Sequence, residues 1–93
     1  MKKFEIEVVK VIGKCHRGYK PGDRFYAEGL NTPSCPFCGG AFMVIFPMQN
    51  ALHAGGRFDF EQNPYSKTEL ACPDKGSVIF KVTLLPEDSP DKA

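Results

Sequence analysis

Between residues 3 and 12 apolar and polar side chains alternate, with Phe4, Ile6 and Val8 on one face and Lys3, Glu5 and Glu7 on the other. A period of two is the signature of a strand buried on one side. The alternation slips at Val9, Val11 and Ile12, which predicts a bulge or a strand end buried on both sides. A loop rich in Gly, Lys and Pro covers 13–22 and leads into Pro21-Gly22-Asp23. Pro presets the first turn angle and Gly takes the positive one, so this is a type II turn signal. A second strand over 23–28 is expected to pair back on the first.

Residues 29–39 read as a second loop. The run Ala41-Phe42-Met43-Val44-Ile45-Phe46 is continuously apolar and fits a buried strand or a buried helix. Pro47 suits the first position of a helix, 48–54 reads as helical, and Gly55-Gly56 is a stop signal. Together these predict a helix over 40–54, kinked or restarted at Pro47. Asn63-Pro64 has the form of an N-cap followed by a first-turn proline, which predicts a short helix over 64–70. Residues 77–85 form the clearest strand, with Val78, Phe80, Val82 and Leu84 on one face. Beyond 86 no apolar residue anchors the chain, and a frayed tail over 87–93 is expected. The pattern amounts to one α+β domain over 1–86. Its antiparallel sheet has about three strands, with the first and last as central neighbours, and one main helix covers the apolar face.

Charge narrows the function classes. The chain has 12 basic and 11 acidic side chains and no run of five like charges, so no long-range field for nucleic acid exists. Glu5, Glu7 and Lys10 break the apolar stretch that a signal peptide needs, and no segment approaches the ~20 apolar residues of a membrane span. A cytoplasmic protein with reduced thiols is expected, without nucleic-acid or membrane partners. A homodimer through a sheet edge stays open, and no small-molecule ligand is named.

Four cysteines carry the candidate chemistry. Two stand in Cys35-Pro36-Phe37-Cys38-Gly39-Gly40, while Cys15 opens Cys15-His16-Arg17-Gly18 and Cys72 opens Cys72-Pro73-Asp74-Lys75-Gly76. Turns of this kind let backbone amides point at sulfur, which suits a soft metal such as zinc or iron. The second chelating pair of a rubredoxin-type site is missing, because Lys75 stands where its other cysteine belongs. A metal site would therefore be assembled from three loops, by Cys15, Cys35, Cys38 and Cys72. The redox reading starts from the same Cys-Pro-Phe-Cys, which resembles the glutaredoxin active-site segment. A helix N-terminus favours a thiolate. That fold also needs a strand leading directly into the motif, a long βαβ crossover and a later Thr-Val-Pro loop, none of which is found. The third reading makes the cysteines small core residues.

The remaining motifs take structural roles. The segment Gly13-Lys14-Cys15-His16-Arg17-Gly18-Tyr19-Lys20 fails as a phosphate-binding loop, since Tyr19 occupies the lysine position and no Ser or Thr follows. His16 reads as an exposed loop residue before it reads as a ligand, and His53 as a charge at a helix C-terminus. Asp59 and Glu61 would share a face if 57–62 were extended, but solvated charges are the default. Phe58, Phe60 and Tyr65 are expected to pin the long 55–76 connection onto the body. No Ser–His–Asp set or histidine-pair zinc motif is visible, so no catalytic residue is named.

Three segments, taken together, support a resemblance. They are Gly13-Lys14-Cys15-His16-Arg17-Gly18-Tyr19-Lys20-Pro21-Gly22-Asp23-Arg24-Phe25, then Cys38 through Ala41-Phe42 and Pro47 to Gly55-Gly56-Arg57-Phe58, and Ala71-Cys72-Pro73-Asp74. In order and spacing they resemble an uncharacterised family of small cysteine-containing bacterial and archaeal proteins of about this length, many from anaerobes. The resemblance implies a stand-alone cytoplasmic α+β domain with a helix over 40–54, and it implies no activity. Its cysteine pattern falls on Cys15, Cys38 and Cys72, with Cys35 an addition of this chain. The expectation is a cysteine cluster that binds a soft metal or reacts with oxidants. The alternative is a non-catalytic binding domain with structural cysteines.

Overall fold

The opening alternation folds into β1 (Lys3–Val11), whose Phe4, Ile6 and Val8 are completely shielded from solvent. The computed structural model describes residues 2–13, 18–73 and 77–86. A tight turn leads into β2 (Arg24–Glu28): Gly22 has φ +94°, and the Asp23 N–H donates to the Lys20 carbonyl at 3.0 Å. That positive φ is where glycine is favoured. β2 then pairs antiparallel with β1, Phe4 opposite Ala27 and Ile6 opposite Phe25.

The slip in the alternation is a bulge. β4 (Val78–Leu84) pairs with β1 through Val8 opposite Phe80 and then Lys10 opposite Ile79, so Val9 is the extra residue. With β3 over Ser66–Ala71, the strand order is β2-β1-β4-β3, every pairing antiparallel and the first and last strands at the centre, as expected. Above them lies α1 (Gly39–His53), whose buried stripe is Ala41, Ile45, Gln49 and Leu52. The core forms where Ala41, Ile45 and Leu52 meet Phe4, Ile6, Val8, Val78, Phe80 and Val82.

α1 runs unbroken through Pro47. Proline there leaves the Met43 carbonyl without its helical donor, and both residues lie on the exposed side, where water can replace the bond. Gly55-Gly56 ends the helix as predicted. The Gly56 N–H donates to the Ala51 carbonyl at 2.8 Å and the Gly55 N–H to the Leu52 carbonyl at 3.1 Å, with Gly55 at φ +94°.

The sheet has four strands, where about three were expected. The fourth is β3 (Ser66–Ala71), and it replaces the short helix predicted over 64–70. Asn63 does cap, but it caps a turn: its Oδ1 accepts from the Tyr65 N–H at 3.0 Å and its carbonyl from the Ser66 N–H at 2.9 Å. The chain leaves that turn as a strand beside β4. Residues 57–62 are not extended either. The Glu61 N–H closes a turn onto the Phe58 carbonyl at 2.9 Å, which sends Asp59 toward Arg57 and Glu61 toward Thr68. Of the three aromatics expected to pin this connection, Phe58 packs on the core while Phe60 is 77% exposed. No helix among the described residues is long and apolar enough to cross a membrane.

Candidate functional site

Cys38 is the N-cap of α1. Its carbonyl accepts the first helical bond, from the Phe42 N–H at 3.0 Å, while its side chain makes no capping hydrogen bond. The first turn carries no acidic residue, so its amides and the positive end of the dipole meet no carboxylate of their own helix. Negative charge is what such an end favours.

Cys38 and Cys72 are half-buried and pack against the core, whereas Cys35 is exposed. Gly40 lies beside both the Cys38 sulfur and the turn that begins at Cys72. A Cβ at that position would lie 3.9 Å from the Cys38 Sγ and 3.7 Å from the Cγ of Pro73, the residue after Cys72. The helix start therefore lies close to both the Cys38 sulfur and the Cys72 turn. That turn hangs from the sheet through the Cys72 N–H, which donates to the Val78 carbonyl at 3.0 Å.

Cys15 and His16 lie outside the described residues, as do 74–76 and the tail. The flanks of the Cys15 segment are described, and both reach the same pole. On one side the Ile12 N–H donates to the Ser77 carbonyl at 2.7 Å, just past the Cys72 turn. On the other, the Tyr19 hydroxyl accepts from the Cys38 N–H at 2.9 Å. Among the described residues no group of three His, Cys, Asp or Glu side chains is arranged to hold a metal ion.

Tyr19 and Phe37 build the wall of this pole, and sequence reasoning gave neither a role there. Phe37, between the two cysteines of the Cys35–Cys38 pair, stacks on Tyr19 at 5.6 Å and meets Phe25 at 5.0 Å, Phe80 at 5.9 Å and Phe42 at 6.2 Å. Ring pairs at these separations are favourable beyond simple burial. An aromatic between two cysteines was the available signal.

Gln49 was also missed. Fully buried, it donates through Nε2 to the carbonyls of Gly29 and Asn31, both at 3.0 Å, and so fastens the loop that leads to Cys35. Two carbonyls can only accept, which fixes the amide orientation. Its Oε1 has no hydrogen-bond partner among the described residues. A lone polar residue four positions after Ile45, on the buried stripe, was the clue.

Beside the pole, Phe37, Phe42, Met43, Phe46, Pro47 and Leu30 line an open apolar groove of about 550 Å³. Met43 is 76% exposed on the outer side of a helix that contains no Asp, Glu, Lys or Arg. Compared with family models, curated proteins and solved structures, the chain matches none.

Proposed function

We propose that this protein is a small thiol-site protein in which Cys15, Cys38 and Cys72 take up a soft metal ion, zinc or iron, at the start of α1. Exposed Cys35 is an optional fourth member. The observation that carries the reading is that the Cys38 sulfur and the Pro73 ring of the Cys72 turn both come close to Gly40. Two further facts support it: both flanks of the Cys15 segment touch this pole, and the helix end there lacks an acidic first turn. Three protein thiolates and one open position would make a reactive metal centre rather than a sealed structural one. A reducing, cytoplasmic setting would keep the ligands available.

The test is elemental analysis of protein purified without oxygen or added metal, with thiols counted on the same sample. The expected result is close to one zinc or iron per chain, lost in Cys15→Ser, Cys38→Ser and Cys72→Ser and kept in Cys35→Ser. A metal-free protein with four freely titrating thiols would overturn it.

A second reading, a non-catalytic interaction domain, is favoured by the uncharged outer face of α1 and its groove. It predicts a concentration-dependent dimer in sedimentation that Met43→Lys abolishes.

A further inference from the structure

We propose that Tyr19 is a positioning residue for Cys38, its hydroxyl holding the main chain that places that thiol beside Gly40. The inference rests on the thiol-site reading for its functional consequence, but its geometry stands separately.

The Tyr19 ring lies among phenylalanines: 5.2 Å from Phe25, 5.6 Å from Phe37 and 6.0 Å from Phe80. A Phe at this position would pack as well, so burial does not require the hydroxyl. What the hydroxyl adds is the 2.9 Å bond accepted from the Cys38 N–H. Cys38 has no capping bond through its own side chain, so the place of its sulfur depends on how the main chain is held. Three restraints hold it: Phe37, locked in the aromatic cluster on one side, the helical bond its carbonyl accepts from the Phe42 N–H, and the Tyr19 hydroxyl at the amide itself.

Tyr19 also directly follows Cys15-His16-Arg17-Gly18. One hydrogen bond therefore links the strand connection that carries Cys15 to the helix cap that carries Cys38. Outer groups that orient a metal ligand typically change metal affinity by about 10–100-fold when removed.

The experiment compares Tyr19→Phe with Leu52→Val, a packing change at the far end of α1 that lowers stability without touching the pole. Metal-free reduced protein is treated with iodoacetamide, and the alkylation rates of Cys38 and Cys35 are read by peptide mass spectrometry. Tyr19→Phe is expected to raise the Cys38-to-Cys35 rate ratio about fivefold, the factor one ordinary hydrogen bond contributes to a local opening equilibrium. Leu52→Val is expected to leave the ratio unchanged. An unchanged ratio in Tyr19→Phe, or an equal rise in Leu52→Val, overturns the proposal. Cobalt(II) titration of the same proteins tests the metal reading separately. Failure of wild-type protein to develop thiolate-to-cobalt absorption counts against that reading, while the alkylation ratio still decides the role of Tyr19.

Discussion

In β4 the alternate residues Val78, Phe80 and Val82 are shut away from solvent, whereas the adjoining β3 buries only Ser66 and Leu70. The two strands share a ladder but are held in place differently. β4 sits between β1 and β3 and under α1, so apolar burial fixes its register. β3 is an edge strand, and polar contacts fix it: Ser66 Oγ lies 2.7 Å from Thr83 Oγ1, and Glu61 accepts from the Thr68 hydroxyl at 3.1 Å and pairs with Lys67 at 3.3 Å. Its pairing is interrupted by a bulge between Lys67 and Leu70. The difference matters to the candidate site because β3 runs straight into Cys72. In the proposed thiol site, one arm would therefore hang from the strand with the smaller apolar anchor, while Cys38 caps α1.

The largest effect should come from the core strand. Phe80→Ala removes a fully buried ring that also supports Tyr19 and Phe37, and should cost about 3–5 kcal/mol in urea unfolding. Leu70→Ala, the corresponding truncation in β3, should cost about 2 kcal/mol. Equal losses at the two positions would break the comparison, because β3 would then be anchored by burial as firmly as β4.

A smaller effect, and one that depends on pH, belongs to β3. Burial works to raise the Glu61 carboxyl, but the Thr68 N–H and hydroxyl and the Lys67 ammonium outweigh it and hold the group below its ordinary range. A carboxylate with a depressed folded-state value contributes its full stability above the unfolded value, about pH 4, and loses it as pH falls through the lower folded value. Wild-type protein should therefore exceed Glu61→Gln by about 1 kcal/mol at pH 6, and the gap should close on titration toward pH 3. A gap of constant size across that range would mean that the ionised form of Glu61 contributes nothing to β3.

The same contrast explains what could be read from the chain. β1, β4 and α1 announce themselves through Phe4-x-Ile6-x-Val8, Val78-x-Phe80-x-Val82 and the 41–46 run, because apolar burial leaves a local period in the sequence. The bulge at Val9 was legible for the same reason, as a break in a strong alternation. β3 has no such period. Ser66-Lys67-Thr68-Glu69-Leu70-Ala71 is mostly polar, and its partners, Thr83 and Glu61, come from elsewhere in the chain. Asn63-Pro64 then gave a true local signal for a turn that a strand, rather than a helix, follows. In the candidate site the cysteines and their glycine turns were visible. The Tyr19 hydroxyl and the Gln49 amide act across 18 or more residues, and no local pattern marks such contacts.

The smallest effect sets the two strands against each other through a single substitution. Glu69, in the β3 bulge, has φ +59°, a left-handed conformation that a side chain makes unfavourable. Glycine there relieves that cost but makes the unfolded chain freer, so Glu69→Gly should stabilise by only about 0.5 kcal/mol. Lys81, opposite Glu7 in the regular part of β4, has no such strain to relieve. Lys81→Gly should destabilise by about 1 kcal/mol through backbone freedom and lost strand packing. Opposite signs in adjoining strands would show that the β3 bulge is held against its own backbone preference by the contacts around it. If both variants lose stability, Glu69 is not strained in solution, and the bulge is the chain's own preference at that edge.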